Sequence, residues 1–165
     1  IMIAGVYIVL AKGWTDNVWN VALAGVPWGL SVVSINIAKH IDKMESDRKK
    51  KVGTLPVRMG EKASRFLTQA VLVLLYASIL YLVFIPHYFT PIMLIVFLAV
   101  KRLLTALKML NTPRPKSAPQ GFVFWPTWFS AFCFNHNRLF GGLFILGLLF
   151  DTLLRLFLPS FWPVL

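Results

Sequence analysis

Apolar runs at 18–38, 66–86, 91–110 and 139–158 are each about twenty residues long. That is the length at which an α-helix crosses the ~30 Å hydrocarbon core of a bilayer. No other feature narrows the fold as far: the runs predict an all-α, polytopic transmembrane helix bundle. Composition agrees, because a soluble domain of 165 residues needs more charge than 14% against 58% hydrophobic to cover its surface.

The runs differ in character. Residues 1–11 are apolar but too short to span, and read as the end of a span that continues upstream. Pro27 and Gly29 predict a kink inside the 18–38 span. The 66–86 span is leucine-rich and joins the 91–110 span through the short, uncharged His87-Tyr88-Phe89-Thr90, which makes the two antiparallel neighbours. Lys101 and Arg102 fall in the 91–110 span, where they either face a polar cavity or snorkel. Residues 121–134 are aromatic but only 14 long, which suits a re-entrant or interfacial segment. The polar Asn135-His136-Asn137-Arg138 precedes the last span, with His136 and Arg138 placed to cap or anchor it. Gly141, Gly142 and Gly147 allow close helix approach there.

Charge sets the orientation. Of the 17 basic residues that give the chain +11, nine lie between Lys39 and Arg65. The positive-inside rule then makes 39–65 a cytoplasmic loop, with Arg114 and Lys116 on the same side. Basic residues arranged between spans attract anionic membrane lipids and give no reason to expect nucleic acid. Cys133 stands alone and excludes an internal disulfide.

The polar interval 36–60 holds the chemistry. It mixes Asp42, Glu45 and Asp47 with Lys39, Lys43, Arg48, Lys49, Lys50, Lys51 and Arg58. In it Asn36, Asp42, Asp47-Arg48, Thr54-Leu55-Pro56-Val57 and Gly60 stand in one order. That pattern resembles the second aspartate-rich loop of the UbiA superfamily of intramembrane prenyltransferases. The resemblance implies a bundle of typically nine helices, of which this chain is the C-terminal half, with residues 1–11 closing the fifth helix and 139–158 forming the ninth. The first loop of that family, an N-D-x-x-D pattern, has no counterpart in these 165 residues. The second loop departs in spacing. The family places its aspartates four apart, whereas Asp42 and Asp47 are five apart, about 140° around a helix. Lys43 holds the position four before Asp47, and Glu45 is three after Asp42.

What the resemblance implies is Mg²⁺-dependent transfer of an isoprenyl group from a prenyl diphosphate to an aromatic or lipid-type acceptor, in quinone-type lipid biosynthesis. Tetrapyrrole or sugar-phosphate acceptors belong to the same chemistry. On that mapping Asp42 and Asp47 hold the metal with Glu45 in reserve, since Mg²⁺ takes hard oxygen ligands. Lys39, Lys43 and Arg48 grip the diphosphate, His40 takes the acceptor's proton, and Asn36 and Trp28 belong to the substrate pocket, Trp28 shielding a developing carbocation. The alternative is a non-catalytic member packed among other membrane subunits and binding lipid, quinone or pigment.

Overall fold

The computed structural model describes residues 2–158 and 160–162, so residue 1 of the expected segment 1–11 lies outside them. The order is α1 (Met2–Leu10), α2 (Val18–Ala24), α3 (Val26–Asp42), α4 (Met44–Lys49), α5 (Leu55–Met59), α6 (Glu61–Phe84), a 3₁₀ helix (Pro91–Ala99), α7 (Val100–Asn111) and α8 (Phe129–Phe157). There is no strand among the described residues, and the protein is an all-α membrane bundle. Helices α6 and α8 are each long and apolar enough to cross a membrane, as are α2 and α3 taken as one broken span.

The core is the seam where α3, α6, the 3₁₀ helix and α8 meet. On α6, buried Val71, Leu72, Leu75, Tyr76, Ile79, Leu82 and Val83 follow the three-and-four spacing of one helix face. The opposite face is just as apolar, with Phe66, Val73, Leu74, Tyr81 and Phe84 exposed. That pattern suits lipid on the outside. In the 3₁₀ helix, Met93, Val96 and Ala99 are the buried residues. Side chains three apart eclipse in a 3₁₀ helix, so these form one straight ridge against α8. Gly147 admits that ridge: a Cβ there would lie 2.8 Å from Met93 Sδ. Gly141 similarly admits the Trp28 ring, 3.3 Å from where its Cβ would be, whereas Gly142 faces open space.

Several boundaries differ from the sequence reading, each for a physical reason. The break in the first span is a 45° bend between α2 and α3, at Gly25. Pro27 sits at the start of α3, where its missing N–H removes no helical bond. Helix α3 then runs four residues past Ala38, and the 39–65 interval is largely helical rather than a loop. The 91–110 span divides into the 3₁₀ helix and α7, which end to end extend ~36 Å. Residues 129–134 belong to α8, leaving only 121–128 irregular. Asn135–Arg138 therefore lie inside α8 and do not cap it. The helix continues through this polar stretch because neighbours satisfy it. Tyr76 Oη and His136 Nε2 are 2.9 Å apart, Arg102 Nη1 donates to Asn135 O at 3.0 Å, and Ser31 bonds Asn137. Lys101 is exposed.

The bundle has two distinct ends. At one, Arg65 Nη1 donates to Leu110 O (3.2 Å) and Arg114 Nη1 to Asp42 O (3.1 Å), so residues 112–128 return to the end they left. At the other, Asp151 Oδ1 accepts from Thr90 N–H (2.5 Å) and Asp151 Oδ2 pairs with Arg155 Nε (3.2 Å). Arg155 Nη2 in turn donates to His87 O (2.9 Å) and Tyr88 O (3.1 Å), which pins the turn between α6 and the 3₁₀ helix. Asp151→Ala orphans a buried N–H and releases that arginine. It is expected to cost about 1–3 kcal/mol, read as a lower unfolding temperature in detergent.

Candidate functional site at the aspartate loop

From Lys39 to Lys49 the chain stays close to helical: Lys43 N–H bonds Lys39 O (3.2 Å) and Asp47 N–H bonds Lys43 O (2.9 Å) across the α3–α4 junction. Helical geometry then sorts the acidic residues. His40 and Asp47, seven apart, share a face, and Asp42 lies about 140° away from Asp47. The two aspartates accordingly meet different partners.

Asp42 turns toward α8. Its Oδ1 accepts from Phe129 N–H (3.0 Å), and its Oδ2 from Ser130 N–H (2.9 Å) and Ser130 Oγ (2.6 Å). The first N–H groups of a helix have no partner within it, and the helix end carries partial positive charge. Asp42 is thus an N-terminal cap supplied from 87 residues away. Sequence reasoning had no signal for this, because ordinary capping is local.

Asp47 turns the other way. Its Oδ2 is 3.2 Å from His40 Nδ1 and accepts from Thr54 Oγ1 at 3.3 Å. Its Oδ1 accepts no hydrogen bond from any described residue. The side chain is 15% exposed and that of His40 43%. The segment that follows explains how this is held. Val52 N–H bonds Asp47 O (2.9 Å), Thr54 is extended just before α5, and Pro56 is buried in the first turn of α5. Gly60 takes φ +85°, a left-handed conformation that suits glycine, and reverses the chain into α6. The Thr-Leu-Pro-Val…Gly string is therefore the brace for Asp47.

The remaining candidates are spread around this end. Asn36, Lys39, Lys43, Glu45 and Arg48 are exposed, and none of the four charged ones makes an ion pair among the described residues. Trp28 lies deeper, half-buried, with its ring centroid 5.9 Å from that of Phe144. It also lines an open apolar groove of about 530 Å³ bounded by Met2, Ile3, Val26 and Val33. No three His, Cys, Asp or Glu side chains converge on one point among the described residues. Two cations missed as site residues, Arg114 and Lys116, line a cleft of about 420 Å³ with Asp42, Glu45 and Glu61. In the sequence their charge served only to orient the chain.

A model of the UbiA prenyltransferase family matches residues 1–128. The match covers every helix up to α7 and the whole aspartate loop, and the chain belongs to that family. No curated protein and no solved structure matches it. Helix α8 lies beyond the matched residues and is joined to them through Asp42.

The cap carries its own test. Asp42→Ala is expected to lower stability by about 1–2 kcal/mol, whereas Glu45→Ala, at an exposed position without partners among the described residues, stays within about 0.5 kcal/mol of wild type. Thermal unfolding of the two variants side by side checks the difference.

Proposed function

We propose that the protein transfers an isoprenyl group from a prenyl diphosphate to an aromatic or lipid-type acceptor, with Mg²⁺ as cofactor, in quinone-type lipid biosynthesis. The observation that carries this reading is the Asp47 carboxylate, braced through one oxygen and free at the other, amid exposed cations at one end of an apolar bundle. Family membership supports prenyl chemistry in general.

The residues fit a single-carboxylate contribution to Mg²⁺. The ion commonly takes one or two carboxylates, with waters and substrate phosphate oxygens completing the octahedron. Asp47 Oδ1 is a hard ligand oxygen, and the bonds from His40 and Thr54 to Oδ2 are the outer partners that orient such a ligand. Glu45 stands two residues away as a second carboxylate. Asp42, with three hydrogen bonds from α8, holds that helix in place beside the site. When bound, the metal neutralises the charge that develops on the diphosphate leaving group.

The protein's own side chains supply the rest. Lys39, Lys43 and Arg48 bind phosphate oxygens by charge-assisted hydrogen bonds. With Nδ1–H donating to Asp47, His40 keeps Nε2 to accept the proton lost by the acceptor. The prenyl tail lies among apolar helices, and the Trp28 ring, about 18 Å along α3 from His40 and packed near Phe144, suits the tail rather than the charge that develops beside the diphosphate. The basic end faces the cytoplasm, by the charge rule.

Two substitutions test this in the intact protein. Asp47→Asn is expected to lower Mg²⁺-dependent transfer by roughly 10²–10³-fold with membrane insertion unaltered. Transfer by that variant at the wild-type rate would rule out Asp47 as a metal ligand, whereas no transfer by the unaltered protein would favour a non-catalytic member that binds lipid, quinone or pigment in a larger assembly. Thr54→Val removes only the brace. It should raise the Mg²⁺ concentration for half-maximal activity by roughly ten- to a hundredfold, with kcat recovered at saturating Mg²⁺.

A further inference from the structure

The short α5 and the turn before it carry an exposed surface that the candidate site does not use. Leu55 and Met59, four apart on one face of α5, are exposed, and so is Val52 just ahead of them. Pro56 is buried, and α5 packs on α3, α4 and α6. Around the exposed apolar side chains stand five exposed cations, Lys49, Lys50, Lys51, Arg58 and Lys62. None of them makes an ion pair among the described residues, and the one carboxylate between 49 and 62, Glu61, lies 3.3 Å from Arg65 Nε. A Cβ at Gly53 would stand 3.2 Å from Arg58 Nε, so glycine leaves room for the guanidinium across that turn. The surface is apolar, basic and without a counter-charge.

Its depth says what covers it. From Phe66 to Phe84, α6 carries no charge, and Phe66 is 72% exposed, so the lipid-facing surface starts there. Glu61 stands about 8 Å before it along the helix. The headgroup layer on each side of a bilayer is about 5–8 Å thick. Only Gly60 separates α5 from α6, which sets α5 level with the headgroups. Apolar side chains rimmed by lysine and arginine at that level sink into the acyl boundary while the cations hold anionic lipid.

We propose that α5 and the turn before it form a docking surface for anionic membrane lipid. Val52, Leu55 and Met59 enter the headgroup boundary, and Lys49, Lys50, Lys51, Arg58 and Lys62 take lipid phosphates. The attachment reaches the candidate site through the backbone. Thr54, which donates to Asp47, lies between Val52 and Leu55, and Val52 N–H bonds Asp47 O at 2.9 Å. Lipid that holds these neighbours steadies the brace, so membrane composition governs how firmly Asp47 is presented. None of this depends on which reaction the protein runs.

The intact protein in nanodiscs of phosphatidylcholine, with and without phosphatidylglycerol, tests the surface without turnover. Nitroxides placed singly through Met59→Cys and Ser46→Cys report depth by collision with oxygen and with a water-soluble nickel chelate, Cys133 being buried. With phosphatidylglycerol present, the ratio of oxygen to nickel collisions at 59 should exceed that at the exposed position 46 roughly threefold or more. Hydrogen exchange over residues 50–60 should slow at least roughly fivefold on adding phosphatidylglycerol, the effect of one basic residue at a charged surface. The joint variant Lys49→Gln, Lys50→Gln, Lys51→Gln, at exposed positions that do not threaten folding, should lose most of that slowing. Nickel that reaches position 59 as freely as 46 overturns the proposal, as does exchange that is the same in both lipids or slows equally in the joint variant. Slowing that appears only in native membranes, and not in nanodiscs of lipid alone, also overturns it, because the occupant would then be a protein.

Discussion

The carboxylate of Asp42 on the N-terminus of α8 is the contact on which this end of the protein depends. It joins the aspartate loop to the last helix across 87 residues of sequence. A helix that begins at the edge of a membrane bundle exposes donors that lipid cannot satisfy. A charged acceptor with two oxygens meets that need better than any neutral cap. Arg114 reinforces the junction by donating to the Asp42 carbonyl, so one residue engages α8 with its side chain and the preceding connection with its backbone. Asp47 and the cleft both lie within a few residues of this junction.

Packing below the junction follows from the solvent. Helices α6 and α8 bury one apolar face and expose another, so hydrophobicity alone cannot say which face turns inward. Small and polar residues decide. Gly141 and Gly147 let Trp28 and Met93 approach α8 closely, and the Tyr76–His136 and Ser31–Asn137 bonds fix which side of α8 meets α6 and α3. Polar groups in lipid are costly unless partnered, and once partnered they set register.

These same residues divide what was legible in the sequence from what was not. The approximate place of the long apolar helices α6 and α8 could be read from run length, because the bilayer imposes it. Their number could not: the sequence shows four span-length runs, whereas two helices among the described residues, or three with the bent α2–α3 pair, are long and apolar enough to cross. The Asp151–Arg155 pair could be read too, since four residues bring side chains together on any helix. The start of α8 could not. Asn135–Arg138 resembles a boundary, and only their partners on other helices show that the helix passes through. Neither could the cap, for Asp42 and Ser130 are local to nothing but each other. The aspartate loop was legible as a pattern but not as a division of labour. The five-residue step separates the two carboxylates only where the segment is helical, so the sequence still allowed both on one metal, and the partner of each belongs to tertiary structure.

That division bears on the chemistry. A four-residue step would aim both carboxylates at one ligand. The five-residue step gives one aspartate to structure and the other, braced by Thr54 and His40, to the open end of the bundle. The Thr-Leu-Pro-Val…Gly string then has a physical purpose: threonine supplies the hydroxyl, proline starts the short helix that sets its distance, and glycine returns the chain to the membrane. Exposed cations of the loop surround that braced carboxylate, and the arginine stacked on Trp125 ties the last connection to the backbone of Asp42.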